Sequence, residues 1–185
     1  LQHDVAPVLA AVLDAPPGVF TADGTGGGRA GLAALRLGME LADHDVARRV
    51  LVACGECWRT APGSVLEQVV GDAGGAWLLG PADEAVAVVE AWCTVTQNIM
   101  DVWRLPDEAF PRRADLPFLS ECGYVPAMTS CLRAALKEVG GEASTVARFL
   151  LTGPDRRAAA RAVVAVGGAA EQLDRWRATL QPLHR

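Results

Sequence analysis

A glycine-dense turn that leads directly into an apolar helix is the feature that most constrains this chain. The segment Asp23–Leu35 reads DGTGGGRAGLAAL. At the beginning of such a helix, several backbone N–H groups are directed into one small volume, where they stabilise a phosphate or a developing oxyanion. Glycines also let the backbone approach a ligand closely, because they carry no Cβ atom. The turn lacks a side-chain nucleophile, and this absence is the central question for function.

Length and composition are typical of one packed α/β protein. The chain has 185 residues, of which 51% are apolar, enough for a hydrophobic core. Its net charge of -5 argues against a general affinity for nucleic acid or for an anionic membrane. Arginines cluster at Arg112–Arg113 and at Arg156, Arg157 and Arg161. Such clusters fit an anionic cofactor such as coenzyme A, but a solvated charged face is the favoured interpretation.

The cysteines predict a reducing, cytoplasmic location. There are five, at uneven spacing and without a signal peptide: Cys54, Cys57, Cys93, Cys122 and Cys131. Cys54 and Cys57 form a C-x-x-C pair, but no second pair follows at zinc-site spacing, so no metal site is predicted. Two small buried side chains at a strand end are favoured over a redox pair.

Apolar periodicity predicts that helices and strands alternate, which is typical of a layered α/β fold. The predicted helices cover residues 2–13, 29–43, 64–70, 121–139, 155–166 and 171–180. The predicted strands cover residues 19–20, 50–54, 76–79, 85–89 and 148–151. We expect the strand at 50–54 to be buried on both faces, because its residues are continuously apolar. The irregular stretch 93–117 fits either a functional loop or an ordinary packed loop.

One hypothesis for the glycine turn is a nucleotide-binding α/β domain. Gly26, Gly28 and Gly31 satisfy the dinucleotide fingerprint G-x-G-x-x-G, and Glu56 ends the next predicted strand, where a ribose-binding acid would sit. The strand before the turn is short and is interrupted by Asp23, and Glu56 lies farther along than the fingerprint requires. A purely structural glycine turn is an alternative.

The order of the motifs along the chain favours a different interpretation of the glycine turn. After the glycine turn come a strand that ends in Val52–Glu56 (VACGE) and then Gly71–Leu79 (GDAGGAWLL). Farther along, Asp101–Arg104 (DVWR) is followed by Glu121–Tyr124 (ECGY) and its helix. This order, over about residues 20–167, resembles the thiolase superfamily, and in particular hydroxymethylglutaryl-CoA synthases of the archaeal and bacterial type.

The resemblance implies an α/β, thiolase-like fold in helix–sheet–helix layers, of which this chain is an incomplete copy. Residues 1–92 would be the C-terminal part of the first thiolase-like half, and residues 93–185 the N-terminal part of the second half. The resemblance further implies that the segments that carry the family's catalytic glutamate and late asparagine have no counterpart in these residues.

Two reactive positions depart from the family pattern. Counting back from Ala34–Leu35 puts Gly28 where the family has its nucleophilic cysteine. The family's His-x-Pro corresponds to Thr152–Gly153–Pro154, so Thr152 stands where the family has histidine. Glycine cannot form the acyl-enzyme intermediate, and a threonine hydroxyl is a poor general base near pH 7.

The resemblance therefore implies a degenerate synthase-like or ketosynthase-like protein that binds an acyl thioester or a condensing partner without Cys-dependent condensation of its own. Backbone donors at Gly26, Gly27 and Gly28 would meet the ligand, and Thr152 would line the pocket. The implied ligand is acyl-CoA or acyl-pantetheine, with no tightly bound cofactor. The implied assembly is a homodimer, or a heterodimer with a thiolase-like condensing subunit.

A second hypothesis is that the chain is itself an enzyme. An acyltransferase or condensing activity of the thiolase superfamily would then use non-standard residues. The candidates are Asp23, Asp72, Cys93 and Tyr124.

Overall fold

The computed structural model describes residues 4–27, 29–43, 48–68, 70–153 and 155–173. Its contacts divide the chain into two units. The first unit comprises Leu1–Trp58 and Gly71–Val88, and the second comprises Arg59–Val70 and Val89–Arg185. Gly28 and Pro154, singled out by the sequence motifs, lie outside the described residues.

The first unit is built from two helices and a two-stranded sheet. Helix α1 spans Val5–Val12 and helix α2 spans Ala30–Asp43. Strand β1, Val50–Glu56, pairs antiparallel with β2, Ala73–Leu79, in a register that sets Val50 opposite Leu79. The predicted helices at 2–13 and 29–43 and the strands at 50–54 and 76–79 are thereby confirmed.

Helix α2 lies against one face of this sheet, and Gly38 allows the close approach. Gly38 is the buried residue of the helix. A methyl group there would lie 2.8 Å from Cγ2 of Val52 and 2.9 Å from Cδ1 of Leu79. Since both distances are shorter than van der Waals contact, any side chain at this position would push the helix away from the sheet.

The opposite face of the sheet is exposed. Successive side chains of a strand alternate between faces, and Leu51 and Leu78, on the face away from α2, are 46% and 68% exposed. In β1 only Val52 is buried. The prediction that this strand is buried on both faces is therefore wrong, because no described segment covers its second face. Cys54 and Cys57 are likewise exposed rather than buried.

Other predicted strands do not form within the described part of the chain. Residues 19–20 and 85–89 have no pairing partner, and Phe20 is 78% exposed. The segment at 148–151 is reduced to one parallel bridge between Phe149 and Leu173. Within the predicted helix at 64–70, residues 65–68 form turns, and the Ser64 hydroxyl accepts a hydrogen bond from the Glu67 N–H at 3.3 Å; residue 69 lies outside the described residues.

The second unit is mainly helical. A short pairing of β3, Val102–Trp103, with β4, Arg112–Arg113, precedes helix α3 at Leu116–Phe118. A π-helical turn, Leu119–Tyr124, leads into α4, Val125–Glu138, and α5 follows at Arg156–Ala165. The helices predicted at 121–139 and 155–166 are confirmed. In the last predicted helix, at 171–180, residues 171 and 172 lie in a 3-10 turn, and residues 174–180 lie outside the described residues.

Local sequence explains where these helices stop and start. The Asp155 carboxylate accepts a hydrogen bond from the Ala158 N–H at 2.8 Å and so caps α5. Gly140 and Gly167 follow α4 and α5 with φ of 63° and 90°. These angles lie in the left-handed region that favours glycine, so both helices end with this residue type.

The core of the second unit is formed by α5 and the chain that packs on it. The α5 residues Ala158, Ala159, Ala162 and Val163 are buried along one face. Ala159 and Val163 form a cluster with Phe149 and Leu173, and the Phe149 N–H donates to the Gln172 carbonyl at 2.8 Å. Among the described helices of the chain, none is both long enough and apolar enough to cross a membrane.

Candidate functional site

The glycine turn lies immediately before α2, in the first unit. Gly26 and Gly27 are exposed, and the Gly27 carbonyl accepts a hydrogen bond from the Ala30 N–H at 2.9 Å. A methyl group at Gly27 would meet nothing within 4 Å, and one at Gly26 would meet only Ala30 Cβ, at 3.6 Å. Neither residue has a positive φ. The protein's own described packing therefore leaves the space in front of this turn open.

Asp23, at the start of the turn, caps helix α1. Its carboxylate accepts hydrogen bonds from the N–H groups of Val5 at 3.0 Å and Ala6 at 3.1 Å. Such a carboxylate satisfies amide donors that a helix start otherwise leaves without partners. This engagement gives Asp23 a structural role and leaves the catalytic hypothesis without support at this residue.

The nucleotide-binding hypothesis lacks its structural setting. A methyl group at Gly31 would lie 3.5 Å from Cys54 Sγ, so this glycine lies close to β1, as the third fingerprint glycine does. The fingerprint also requires a strand before the turn and parallel pairing after it. In the described residues the first strand is not formed, and β1, which ends at Glu56, pairs antiparallel with β2.

Two further candidates have structural contacts. An Asp72 carboxylate oxygen accepts a hydrogen bond from the Trp58 N–H at 3.3 Å. Cys93 is half-buried, and its carbonyl oxygen is 3.6 Å from Cys131 Sγ, for which burial raises the pKa. A raised thiol pKa opposes the thiolate that nucleophilic catalysis needs, and this argues against Cys131 as a substitute nucleophile. No group of three His, Cys, Asp or Glu residues suited to a metal ion occurs among the residues searched, which are the described ones.

The second unit brings Tyr124 against the Thr152–Gly153 segment. The π-helical turn ends at Tyr124, and a methyl group at Gly153 would lie 2.5 Å from Cζ and 2.7 Å from Oη of its ring. Only glycine fits at position 153, because the tyrosine ring already occupies the space of a Cβ atom. Thr152, the neighbouring residue, is exposed. Tyr124 is thus the candidate residue that lies beside the family's histidine position.

The Tyr124 hydroxyl is buried without a hydrogen-bond partner among the described residues. Burial, together with the negative charge of Asp155, raises the pKa of Tyr124 to about 12. The phenol is therefore neutral across the physiological range. It can donate one hydrogen bond and accept others.

Tyr124 is the only tyrosine in the chain, so its titration can be read directly. We expect the near-ultraviolet phenolate absorbance of the folded protein to appear as the pH approaches about 12, against 10.0 for an ordinary tyrosine. The unfolded chain loses this proton first, so the contribution to stability is intact below pH ~10 and falls as the pH rises towards ~12. Phenolate absorbance recorded after a rapid pH jump, before the protein unfolds, measures the pKa of Tyr124 in the folded state. A titration midpoint at the ordinary value of 10.0 would contradict the burial of the hydroxyl.

An ion pair fixes the π-helical turn to α5. Arg161 donates to Glu121 through both terminal nitrogens, with Nη2 2.8 Å from Oε2. These hydrogen bonds lower the pKa of the Glu121 carboxyl. Arg112 forms an ion pair with Glu108 through Nη2. Two of the clustered arginines therefore already have carboxylate partners, which favours the charged-surface interpretation over an anion site.

A shallow depression lies at the other end of α4. It is lined by Arg133, Leu136, Lys137, Gly141, Glu142, Ala143, Ser144, Val166 and Gly167. Tyr124 precedes the first residue of α4, whereas this depression is formed at the C-terminal ends of α4 and α5. It contains none of the residues predicted from the motifs.

The sequence identified Tyr124 and Thr152 separately, but not their proximity. The stack depends on Gly153, for which the sequence motif gives no role beyond the middle position of Thr-Gly-Pro. The one sequence signal for this contact is the glycine itself, because a glycine within a motif can mark a place where another chain segment approaches the backbone closely.

Comparison with known proteins places these features in a wider context. No protein-family profile matches the chain. It is 27% identical to hydroxymethylglutaryl-CoA synthase of Methanocella arvoryzae over 168 residues, or 91% of this chain and 48% of that protein. It is 31% identical to the synthase of Thermococcus gammatolerans over 139 residues, or 72% of this chain and 38% of that protein. The chain thus spans about half, or less, of these curated relatives.

Solved structures agree on the fold. A 3-oxoacyl-(acyl carrier protein) synthase III from Pseudomonas aeruginosa matches 91% of this chain and 55% of its own, with a TM-score of 0.75 and 19% identity. MvaS in complex with 3-hydroxy-3-methylglutaryl coenzyme A matches 89% of this chain and 43% of its own, with a TM-score of 0.74 and 17% identity. The predicted thiolase-like α/β fold, present as a partial copy, is confirmed.

Proposed function

Because this chain is a relative of the hydroxymethylglutaryl-CoA synthases with part of a thiolase-like fold, we propose that it binds an acyl thioester without forming an acyl-enzyme. The observation that carries the proposal is Gly28, which stands where the motif order puts the nucleophilic cysteine. Glycine has no atom that can attack a thioester carbonyl. Thr152, at the histidine position, supplies no base at neutral pH.

Gly26, Gly27 and Gly28 supply backbone donors for the ligand in this proposal. The open space in front of Gly26 and Gly27 supports this role, because added side chains would meet little or nothing of the described protein. The start of α2 contributes a favourable potential for a carbonyl oxygen or a phosphate. Thr152, in the second unit, is proposed separately as a neutral hydrogen-bonding group for an acyl thioester.

The ligand we propose is an acyl-CoA or an acyl-pantetheine, with no tightly bound cofactor. One related fold was solved with 3-hydroxy-3-methylglutaryl coenzyme A and another, a hydroxymethylglutaryl-CoA synthase, with CoA. Each of those structures carries a chain more than twice as long as the region matched here. We therefore transfer only the ligand class to this chain.

We also propose a protein partner, either a second copy or a thiolase-like condensing subunit. The uncovered sheet face with Leu51 and Leu78 supports this, because exposed apolar surface on a small sheet is stabilised by burial against another layer. The five cysteines, whose uneven spacing does not suggest a disulfide framework, favour the cytoplasm as the site of this assembly.

Native mass spectrometry of the purified chain tests the function. With acetyl-CoA or acetoacetyl-CoA we expect a noncovalent complex that releases intact thioester on denaturation. If the partner is a second copy of the chain, the same spectra should show a dimer. Saturating ligand should also raise the melting temperature, since a ligand at 100 times its Kd stabilises the folded state by about 2.7 kcal/mol.

A covalent acyl adduct in the same spectra would contradict the proposal. Peptide mapping of that adduct to Cys93 or to another cysteine or hydroxyl would instead support the acyltransferase alternative. An adduct at Lys137, the one lysine of the chain, that grows with time and remains after urea unfolding indicates unspecific acylation and serves as the internal control.

A further inference from the structure

Two cysteines of the second unit lie beside each other although 38 positions separate them in sequence. The Cys131 thiol, in the middle of α4, donates a weak hydrogen bond to the Cys93 carbonyl, with Sγ 3.6 Å from that oxygen. Both residues are free cysteines, and both are partly exposed. The contact therefore sets two reduced thiols side by side at a place that a small oxidant can reach.

The electrostatics of Cys131 agree with this proximity. Burial and, to a smaller extent, the negative charge of a Cys93 thiolate raise the pKa of the Cys131 thiol. A like charge has such an effect only at short range. Because the thiolate is the reactive form of cysteine, Cys131 rests as a thiol at neutral pH and reacts when an oxidant is supplied.

The chain around Cys93 is held along α4 at a second point. Ile99, farther along the same segment, packs on Gly123 in the π-helical turn that precedes α4. A methyl group at Gly123 would lie 3.0 Å from Cδ1 of Ile99. Residues 93–99 thus run from the middle of α4 to its beginning. This second contact fixes the position of the Cys93 backbone beside Cys131.

We propose that Cys93 and Cys131 form a redox modification site, at which hydrogen peroxide converts the two thiols into a reversible disulfide. One oxygen of the peroxide is transferred to the first sulfur, which becomes a sulfenic acid, and the other leaves as water. The second thiol displaces the sulfenic oxygen as a second water, and the S–S bond forms. Both sulfurs are oxidised, the peroxide is reduced, and the two thiol hydrogens end in water.

Strand geometry excludes the C-x-x-C pair that the sequence alone would favour. Cys54 lies in β1, which continues to Glu56, so the chain between Cys54 and Cys57 is extended. At about 3.3 Å per residue, their Cα atoms are about 10 Å apart, whereas a disulfide spans at most about 7 Å between Cα atoms. At Cys131 the sulfur already lies against the backbone of Cys93, and rotation about the two Cα–Cβ bonds moves the sulfurs towards each other.

The disulfide fastens the beginning of the irregular stretch 93–117 to α4. A cross-link between residues 38 positions apart removes many conformations from the unfolded chain. We therefore expect the oxidised protein to melt about 5–10 °C above the reduced protein. Dithiothreitol should reverse this shift, since disulfides in a reducing cytoplasm are transient.

Oxidation of the full chain with hydrogen peroxide tests the site, in a variant that retains only this pair. Cys54→Ser, Cys57→Ser and Cys122→Ser remove the three exposed thiols. The intact mass of this variant should fall by about 2 Da, because two hydrogens are lost. Proteolysis without reductant should then give one linked pair of peptides, which contain Cys93 and Cys131. The matched control, with Cys131→Ser added, should show neither change.

Several results would overturn the proposal. These are an unchanged mass, gains of about 16 or 32 Da without a cross-link, a disulfide between two chains, or an oxidised monomer that melts below the reduced one. Peptide mapping of the oxidised wild type should show the same link, and it decides the question even if the triple variant does not fold. No thioester is involved, so the proposed function stands or fails separately.

Discussion

Replacement of Phe149 by alanine is expected to lower the free energy of unfolding of the second unit by about 3–5 kcal/mol. Phe149 is only 6% exposed and lies in the cluster with Ala159, Val163 and Leu173. Removal of its ring leaves a cavity between α5 and the chain at Leu173, where Phe149 forms a parallel β-bridge with Leu173. The loss is comparable to the whole stability of a small unit.

Urea unfolding measures this effect, and the adjacent residue provides the control. Leu150 is 74% exposed, so Leu150→Ala removes a side chain of similar hydrophobicity from the same segment without opening a cavity. We expect a change below about 0.5 kcal/mol for that variant. Equal losses for Phe149→Ala and Leu150→Ala would mean that the described core is wrong.

The second large effect is expected at Gly38. Gly38→Val should destabilise the first unit by about 1–3 kcal/mol, since new methyl groups would enter space held by Val52 and Leu79. Intrinsic propensity works weakly in the opposite direction, because valine is slightly better than glycine in a helix. The steric effect should dominate, because the backbone of α2 lies directly on the sheet.

Leu37→Val separates the packing effect from helix propensity. Leu37 is an exposed neighbour in the same helix, and its change to valine costs only a few tenths of a kcal/mol in propensity. Hydrogen exchange of β1 and β2 amides should rise in Gly38→Val and stay constant in Leu37→Val. Unchanged exchange in both variants would show that the helix does not contact the sheet at this point.

Sequence reasoning was most successful for the helices. The periodicity of apolar residues and the stop signals of Gly140 and Gly167 are local, so they predict α4 and α5 without knowledge of tertiary contacts. The capping aspartate of α5 is equally local. These features depend on residues a few positions apart, which a single sequence contains in full.

Strands were predicted less well, because a strand needs a partner as well as an apolar pattern. Residues 19–20 and 85–89 have the pattern but no partner in the described chain. The apolar run of β1 indicated burial on two faces, although α2 covers only one. In a chain that matches about half of its relatives, such a pattern can reflect contacts that the matched region alone does not contain.

The candidate site was predicted as a set of positions rather than as contacts. The glycine turn could be located from composition, and the departures at Gly28 and Thr152 from motif order. The stack of Tyr124 on Gly153 and the capping role of Asp23 depend on chain segments far apart in sequence, whose meeting is decided by packing. No periodic signal carries that information.

The Asp23 cap has a consequence for the order of folding. Helix α1 has eight residues and buries none of them, so it is too short to persist alone in water. Its terminal amides are satisfied by a carboxylate 17 and 18 residues downstream. The loop between them must close before the helix gains this stabilisation, and loop closure has an entropic cost. Formation of α1 therefore follows the ordering of the chain that leads into the glycine turn, and its amides report on that turn.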